Sequence, residues 1–399
     1  MSQYNQRRSD NHGRSHYPSN RSSRNGNRQP KKDYIHPSKF IQPAKPVSVE
    51  EYVPDHSFAD FTLDLLIQNN LEAMGFVSPS PIQDKTIAEG LLGKDIVGIA
   101  NTGTGKTAAY MIPVIQRLIK EPNSKVIVLA PTRELAEQIE DQCRKIAKGS
   151  GIVGTLLIGG VAMRPQLQEL RYNPRIIIGT PGRIKDHLVR QSLSLSNCNI
   201  VILDEVDRML DMGFVNDIRM ILGQTMPQRQ SLYFSATLDT RVKTIIEGFS
   251  IDPVYISVRT TESSDNVEQN IITYDSASDK MSKLYDVLIQ KSSVKTLVFD
   301  DTHRSVERLA KELDARGFST DSLHGGKSQS QRQRVLKRFK ENEVKVLVAT
   351  DVAARGLDVP DITHVINFSL PQSYQDYVHR IGRTGRAGKV GYALTFVAK

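Results

Sequence analysis

The chain has 399 residues, 39% hydrophobic and 24% charged, and a formal net charge of +9, which suits two globular domains and favours a polyanion as partner. Residues 1–46 hold ten basic side chains against two acids, so the remainder is almost neutral. Two isolated cysteines, Cys143 and Cys198, make neither a zinc site nor a disulfide framework. No apolar run nears the roughly 20 residues of a membrane span, and no secretory signal opens the chain; a cytoplasmic protein is expected.

In chain order, residues 1–46 are rich in Arg, Asn, Ser and Gly, with Tyr4, Tyr17 and Tyr34 interleaved. They lack the apolar surface that offsets ordering entropy, so a disordered basic tail is expected. Its arginines suit phosphates and its tyrosines suit stacking on bases. From Phe58 the pattern changes to short apolar runs, each followed by a helix-like stretch. Ile96–Ala100, Val126–Ala130, Ile176–Gly179, Ile200–Leu203 and Ser231–Ser235 read as buried parallel strands. A polar gap over 258–270 reads as a linker. The rhythm then restarts with Thr296–Phe299, Lys345–Ala349, His364–Phe368 and Tyr392–Val397. Two tandem α/β units with doubly wound parallel sheets, 47–257 and 271–399, are predicted.

Two constellations carry chemistry. Ala100-Asn-Thr-Gly-Thr-Gly-Lys-Thr107 follows a strand and opens a helix. Its glycines, Gly103 and Gly105, let backbone N–H groups of Thr102 to Thr107 face a polyphosphate at a helix N-terminus. Lys106 can reach the β- and γ-phosphates, and the Thr107 hydroxyl can ligate Mg²⁺. The generic phosphate-loop pattern begins with glycine where this chain has Ala100. In Ile200-Val-Ile-Leu-Asp-Glu-Val-Asp207, acids sit at a strand's carboxyl end, where open α/β sheets bind ligands. Asp204 is placed to hold Mg²⁺, and Glu205 to orient and deprotonate an attacking water.

These stretches and those below resemble the DEAD-box ATP-dependent RNA helicases (superfamily 2), over about residues 58–399. The resemblance implies two RecA-like domains, ATP and Mg²⁺ as cofactors, and RNA as partner. Phe58 and Gly75-Phe-Val-Ser-Pro-Ser-Pro-Ile-Gln83 are similar to the Q motif, which implies adenine stacked on Phe58 and read by the Gln83 amide. Ala130-Pro-Thr-Arg-Glu-Leu-Ala136, Gly159-Gly160 and Thr180-Pro-Gly-Arg183 resemble RNA-facing motifs. They nominate Pro131, Thr132, Arg133, Gly160, Thr180, Gly182 and Arg183 as backbone contacts. Ser235-Ala-Thr237 resembles the motif coupling the acid pair to domain closure. In the second unit, His324-Gly-Gly and Gln331–Arg334 nominate Gly325, Gln331 and Arg334. Thr350-Asp-Val-Ala-Ala-Arg-Gly-Leu-Asp358 nominates Thr350, Arg355 and Gly356 for RNA and Asp358 for ATP. His379-Arg-Ile-Gly-Arg-Thr-Gly-Arg386 resembles the arginine-finger motif, with Arg383 and Arg386 reaching the γ-phosphate once the domains close.

Departures are few. Val206 stands where the family name has alanine, and Asn101 where glutamine is more usual. Asp300-Asp301-Thr302 replaces the frequent Val-Asn-Thr and adds negative charge beside an RNA-facing loop. The chain stops at Lys399, after the strand that follows the arginine motif, where family members usually continue with a helix. Either the sequence is truncated, or a sheet face is left for a partner to cover. A monomer is otherwise expected. The compact core and short polar tail resemble the bacterial RhlE-like branch. Three other readings compete with an RNA helicase: a DNA helicase with the same core, an ATP-gated RNA clamp or chaperone that does not unwind, and a catalytically dead binder, which the presence of every catalytic side chain disfavours.

Overall fold

The computed structural model describes residues 34–45, 52–101, 103–258, 265–354, 359–385 and 389–399. The first unit is a seven-stranded, wholly parallel sheet. Its strands are β1 (Ile96–Ala100), β2 (Val126–Leu129), β3 (Gly154–Leu157), β4 (Ile176–Gly179), β5 (Ile200–Asp204), β6 (Gln230–Ser235) and β7 (Val254–Val258). They lie in the order β3-β4-β2-β5-β6-β1-β7. The second unit, also parallel, contains β8 (Val267–Tyr274), β9 (Thr296–Phe299), β10 (Thr320–Leu323), β11 (Val346–Ala349), β12 (His364–Asn367) and β13 (Gly391–Ala398), ordered β10-β11-β9-β12-β13-β8.

Strand alternation explains the doubly wound architecture. Val126, Val128, Ile176, Ile178, Ile200 and Ile202 point into one core layer. Their neighbours Ile127, Leu129, Ile177, Val201 and Leu203 point into another. Both faces are therefore apolar, and helices cover both. The second sheet divides in the same way, with Leu297 and Leu347 on one face and Val298 and Val348 on the other.

Two predicted boundaries move. Residues 267–270, expected in the linker, are the first half of β8, which pairs with β13 from Val267 to Tyr274. This edge strand buries Val267 and Gln269 and exposes Glu268 and Asn270, so its sequence reads as polar. Part of the expected tail is folded too. Pro37–Phe40 forms a 3-10 helix and Gln42 bridges antiparallel to Gln269. Phe40 enters a cluster with Val267, Tyr377, Ile381 and Ala393. One large aromatic, placed in an apolar recess, offsets the ordering cost that the polar composition argued against. This segment covers the apolar surface formed by Val267, Ala393, Tyr377 and Ile381. Residues 1–33, 46–51 and, within the linker, 259–264 lie outside the described residues.

Candidate nucleotide and RNA site

Sheet order sorts the motifs. The carboxyl ends of β5, β6 and β1 are adjacent, in register Asp204↔Phe234 and Ile99↔Ser235. The acid pair, Ser235 and the phosphate loop therefore share one crevice. The ends of β2 and β4 are adjacent on the other side, with Leu129 opposite Gly179, and they carry Pro131–Arg133 and Thr180–Arg183.

In the phosphate loop, Gly103 and Gly105 have φ of 85° and 90°, a region open chiefly to glycine. A Cβ on Gly105 would stand 2.4 Å from Gln83 Nε2. Gln83 Nε2 donates to the Gly105 carbonyl at 3.2 Å, and its Oε1 accepts from Ser80 N at 3.0 Å. Ser80 Oγ donates to Thr104 O, and Thr104 Oγ1 to Asn101 O. The Q-like motif is thus built into the loop, and the Gln83 amide keeps a second hydrogen and a second lone pair for a base. Phe58 packs edge-on against Phe61 and Phe76. Buried Lys106 donates to Ala100 O at 3.1 Å.

Asp204 is buried. Its Oδ2 accepts from Tyr110 Oη at 2.9 Å, and its Oδ1 has no partner among the described residues. Burial raises its pKa, against the pull of Lys106. An orphaned carboxylate oxygen beside a phosphate loop fits a cation ligand. Glu205 takes a left-handed backbone, φ 54°, rare for a residue with a side chain. Its Oε2 accepts from Arg208 Nη1 at 2.5 Å. Burial would raise its pKa, but Arg208, Lys106 and Arg383 outweigh it and hold the carboxylate below its usual range. Asp207 Oδ2 accepts from both N and Oγ1 of Thr237, and Asp207 N donates to Ser235 Oγ. Val206 is fully buried, so its larger side chain is absorbed by the core.

In the second unit Arg380, 2% exposed, is a hub. Its Nε and Nη2 grip the two Asp351 oxygens, both at 2.6 Å, and Nη1 donates to Asn367 Oδ1 and Ser369 O. The unexpected Asp300 belongs to this node. It is buried, and its Oδ1 accepts from Asp301 N and Ser369 Oγ. Its charge is spent on tying two strand ends together. Arg383, buried after the helix Tyr374–Ile381, is among the charges that lower the Glu205 pKa.

On the other side, Arg133 lies over Gly159-Gly160, where a Cβ on Gly160 would meet Arg133 Nη1 at 2.0 Å. Arg183 donates to Val161 O. Burial, then Arg332 and Arg183 among its neighbours, lower the Arg133 pKa. Thr132 caps the helix Arg133–Ile146 through Leu135 N. Thr180 and Thr350 are buried, the latter with its hydroxyl unpartnered among the described residues. Gly182 faces open space, and Gly325 lies against His303.

One motif shifts frame. The sequence carries two overlapping Gln-x-x-Arg spacings, and the structure singles out Gln329 and Arg332. Arg332 Nε and Nη2 meet Glu134 Oε1 at 2.8 and 2.7 Å across the two units. Gln329 and Gln333 donate to Glu137 Oε1 at 2.9 and 2.7 Å. Gln331 instead closes a capping box with Ser328, and Arg334 is exposed. On the helix Gln329–Lys340, position 332 faces inward with 335 and 339, a periodicity that could have separated the frames. Tyr110, Arg208 and Arg380 were also missed. Thr102, Arg355, Gly356, Asp358 and Arg386 lie outside the described residues.

The family model for DEAD/DEAH box helicases matches residues 80–245, and that for the helicase conserved C-terminal domain matches 279–388. The chain is 43% identical to the DEAD-box ATP-dependent RNA helicase CshA of Bacillus subtilis, over 86% of this chain and 69% of that one. Among solved structures, a DEAD box protein from Methanococcus jannaschii is 37% identical with a TM-score of 0.51, covering 87% of this chain and 94% of that one. Mss116p bound to ssRNA and AMP-PNP is only 30% identical yet reaches a TM-score of 0.77, over 89% and 77%. With phosphate loop, acid pair and arginine helix in place and both halves matched, the chain belongs to the DEAD-box family of ATP-dependent RNA helicases.

Proposed function

We propose that this chain hydrolyses ATP in the crevice between its two units while gripping RNA by its backbone, and that closure on RNA locally separates short duplexes. The observation that carries the reading is that the units meet: Arg332 Nε of the second donates to Glu134 Oε1 of the first at 2.8 Å, and the charge of Arg383 is among those that lower the Glu205 pKa. The higher TM-score to a relative bound to ssRNA and AMP-PNP than to the more identical one supports a closed placement of the halves.

The adenine would sit on Phe58 and the free edges of Gln83. Lys106 would exchange its loop carbonyl for the β- and γ-phosphates. Asp204 Oδ1 and the Thr107 hydroxyl would hold Mg²⁺, which when bound neutralises phosphate charge. Glu205, kept ionised by its basic neighbours, would take the proton of the attacking water. Arg383 would meet the charge that grows on the transferred phosphoryl group. Asp207, tied to Thr237, gives the acid pair a mechanical link to the rest of the crevice.

RNA would run over Arg133, Arg183, Thr132, Thr180 and, in the second unit, Gly325 and Thr350. Contacts of this kind hold phosphates without reading bases. ATP and RNA each favour closure, so each must strengthen the other's binding. The basic residues 1–33 would add a sequence-independent tether. Among the described residues no helix is long and apolar enough to cross a membrane, and a cytoplasmic site of action fits the two buried thiols.

RNA-stimulated ATPase and strand displacement by the full chain test the proposal. Glu205→Gln should abolish turnover and trap RNA with ATP. ATPase that RNA does not stimulate, or that matched DNA stimulates equally, would reject an RNA helicase. ATPase without strand displacement would leave a clamp.

A further inference from the structure

The helix Tyr374–Ile381 rests on a segment nearly 340 residues away in sequence. Phe40, 2% exposed, packs its ring 4.7 Å from that of Tyr377 and shares one apolar cluster with Ile381. Tyr377 and Ile381 are four residues apart and share a helix face. Arg380, three residues after Tyr377, faces Asp351 and Asn367. Arg383 follows two residues beyond the helix, its N–H bonded to Arg380 O at 3.2 Å. Anything that shifts the Tyr377 face therefore shifts the arginine.

The segment is also tied by its backbone. Gln42 and Gln269 exchange both N–H···O bonds, at 3.0 and 2.8 Å, and Lys45 N donates to Asp265 O. This pairing occupies the open edge of β8. Gln269 is buried, and its Oε1 accepts from Tyr377 Oη at 2.9 Å. The strap and the arginine helix thus share a wedge, Phe40, and a polar link, Gln269. Residues 34–45 lie outside both family-model matches.

We propose that residues 34–45 are an intramolecular brace and that Phe40 is a positioning residue for the arginine helix, setting where Arg383 stands when the units meet. This rests on the reading of Arg383 given above. A remote displacement near 1 Å can cost a large factor in rate without touching substrate. The brace should therefore act on kcat more than on KM.

In the full chain, Phe40→Ala should lower RNA-stimulated kcat about tenfold, with KM for ATP and RNA held within about twofold. Phe40→Leu should recover most of the loss. Amide exchange over 374–383 should quicken, while the helix His303–Ala315 serves as unchanged control. Gln42→Cys with Gln269→Cys gives a reversible lock, read against its own reduced form because Gln269→Cys also removes the acceptor of Tyr377 Oη. Hydrogen-bonded antiparallel partners have Cα atoms about 5.5 Å apart, within disulfide range, and the two native thiols are buried. In the Phe40→Ala background, oxidation should restore kcat and reduction should remove it. If Phe40→Ala folds poorly, the smaller truncation Phe40→Val carries the oxidised and reduced comparison instead. Unchanged exchange over 374–383 overturns the brace. Faster exchange with unchanged kcat, or a rise in KM for RNA alone, overturns the positioning role. Arg383→Lys in the otherwise native chain separates the two readings. If it retains full turnover, the arginine assignment fails and the positioning role falls with it; if it is inactive, kcat reports on the brace alone.

Discussion

Tyr110 Oη donates to Asp204 Oδ2 at 2.9 Å, which fixes the carboxylate so that only Oδ1 is left without a partner among the described residues. Removing the hydroxyl leaves a second buried oxygen unpaired, at a cost of about 1–3 kcal/mol. Tyr110→Phe should lower the melting temperature and raise the Mg²⁺ concentration needed for half-maximal ATPase. A magnesium titration with a melt in its absence checks both.

Arg332 and Glu134 form a buried ion pair between the units, with side chains 8% and 3% exposed. Breaking such a pair by truncating one member strands the other, a loss of about 3–5 kcal/mol where burial is complete. The loss falls on the closed arrangement. Arg332→Ala should weaken AMP-PNP-dependent RNA binding about 10- to 100-fold while leaving nucleotide-free binding nearly unchanged. Fluorescence anisotropy with and without AMP-PNP reads the difference.

Gly160 has φ 75° and lies beneath Arg133. Alanine there meets both backbone strain of about 1–2 kcal/mol and the guanidinium. Gly160→Ala should raise the RNA concentration for half-maximal ATPase and spare basal hydrolysis. Equal RNA dependence in the two proteins would argue that Arg133 does not touch RNA.

Val206 is fully buried against the second core layer. Val206→Ala restores the residue in the family name but deletes buried methyl groups, at about 0.8 kcal/mol for each methylene equivalent. ATPase should stay within twofold while the denaturant midpoint falls.

Glu307 accepts from Ser322 Oγ at 2.6 Å and His324 Nε2 at 2.8 Å and pairs with Lys327 at 3.3 Å. Burial alone would raise its pKa, but these three partners lower it to about 2. The folded value lies below the unfolded one. The contribution is therefore complete above about pH 4.5 and is lost as pH falls toward 2. The side chain is 37% exposed, so the effect is small, under about 1 kcal/mol. Glu307→Gln should be less stable than the native chain at pH 7, and the gap should close in acid melts.

The sequence by itself determined the doubly wound architecture, the nine interior strands and the two chemical constellations. Interior strands have both faces packed, so apolar residues dominate them and the run stands out even where a polar residue such as Ser231 or Thr296 is buried within it. The four strands it did not disclose, β3, β7, β8 and β10, are the four sheet edges. An edge strand is wetted on one side, as in β8, where burial alternates, and such a stretch looks like loop. Local chemistry was likewise legible where one short stretch contains it, as in Lys106-Thr107 or Asp204-Glu205. Only the tertiary structure decided which groups meet across distance. It chose Arg332 over Arg334 by bringing Glu134 opposite, seated Phe40 against Tyr377, and turned Asp300 from an open charge into a tie with Ser369. Spacing along a chain records local geometry, whereas a partner hundreds of residues away is set by sheet order and by which apolar surface remains to be covered.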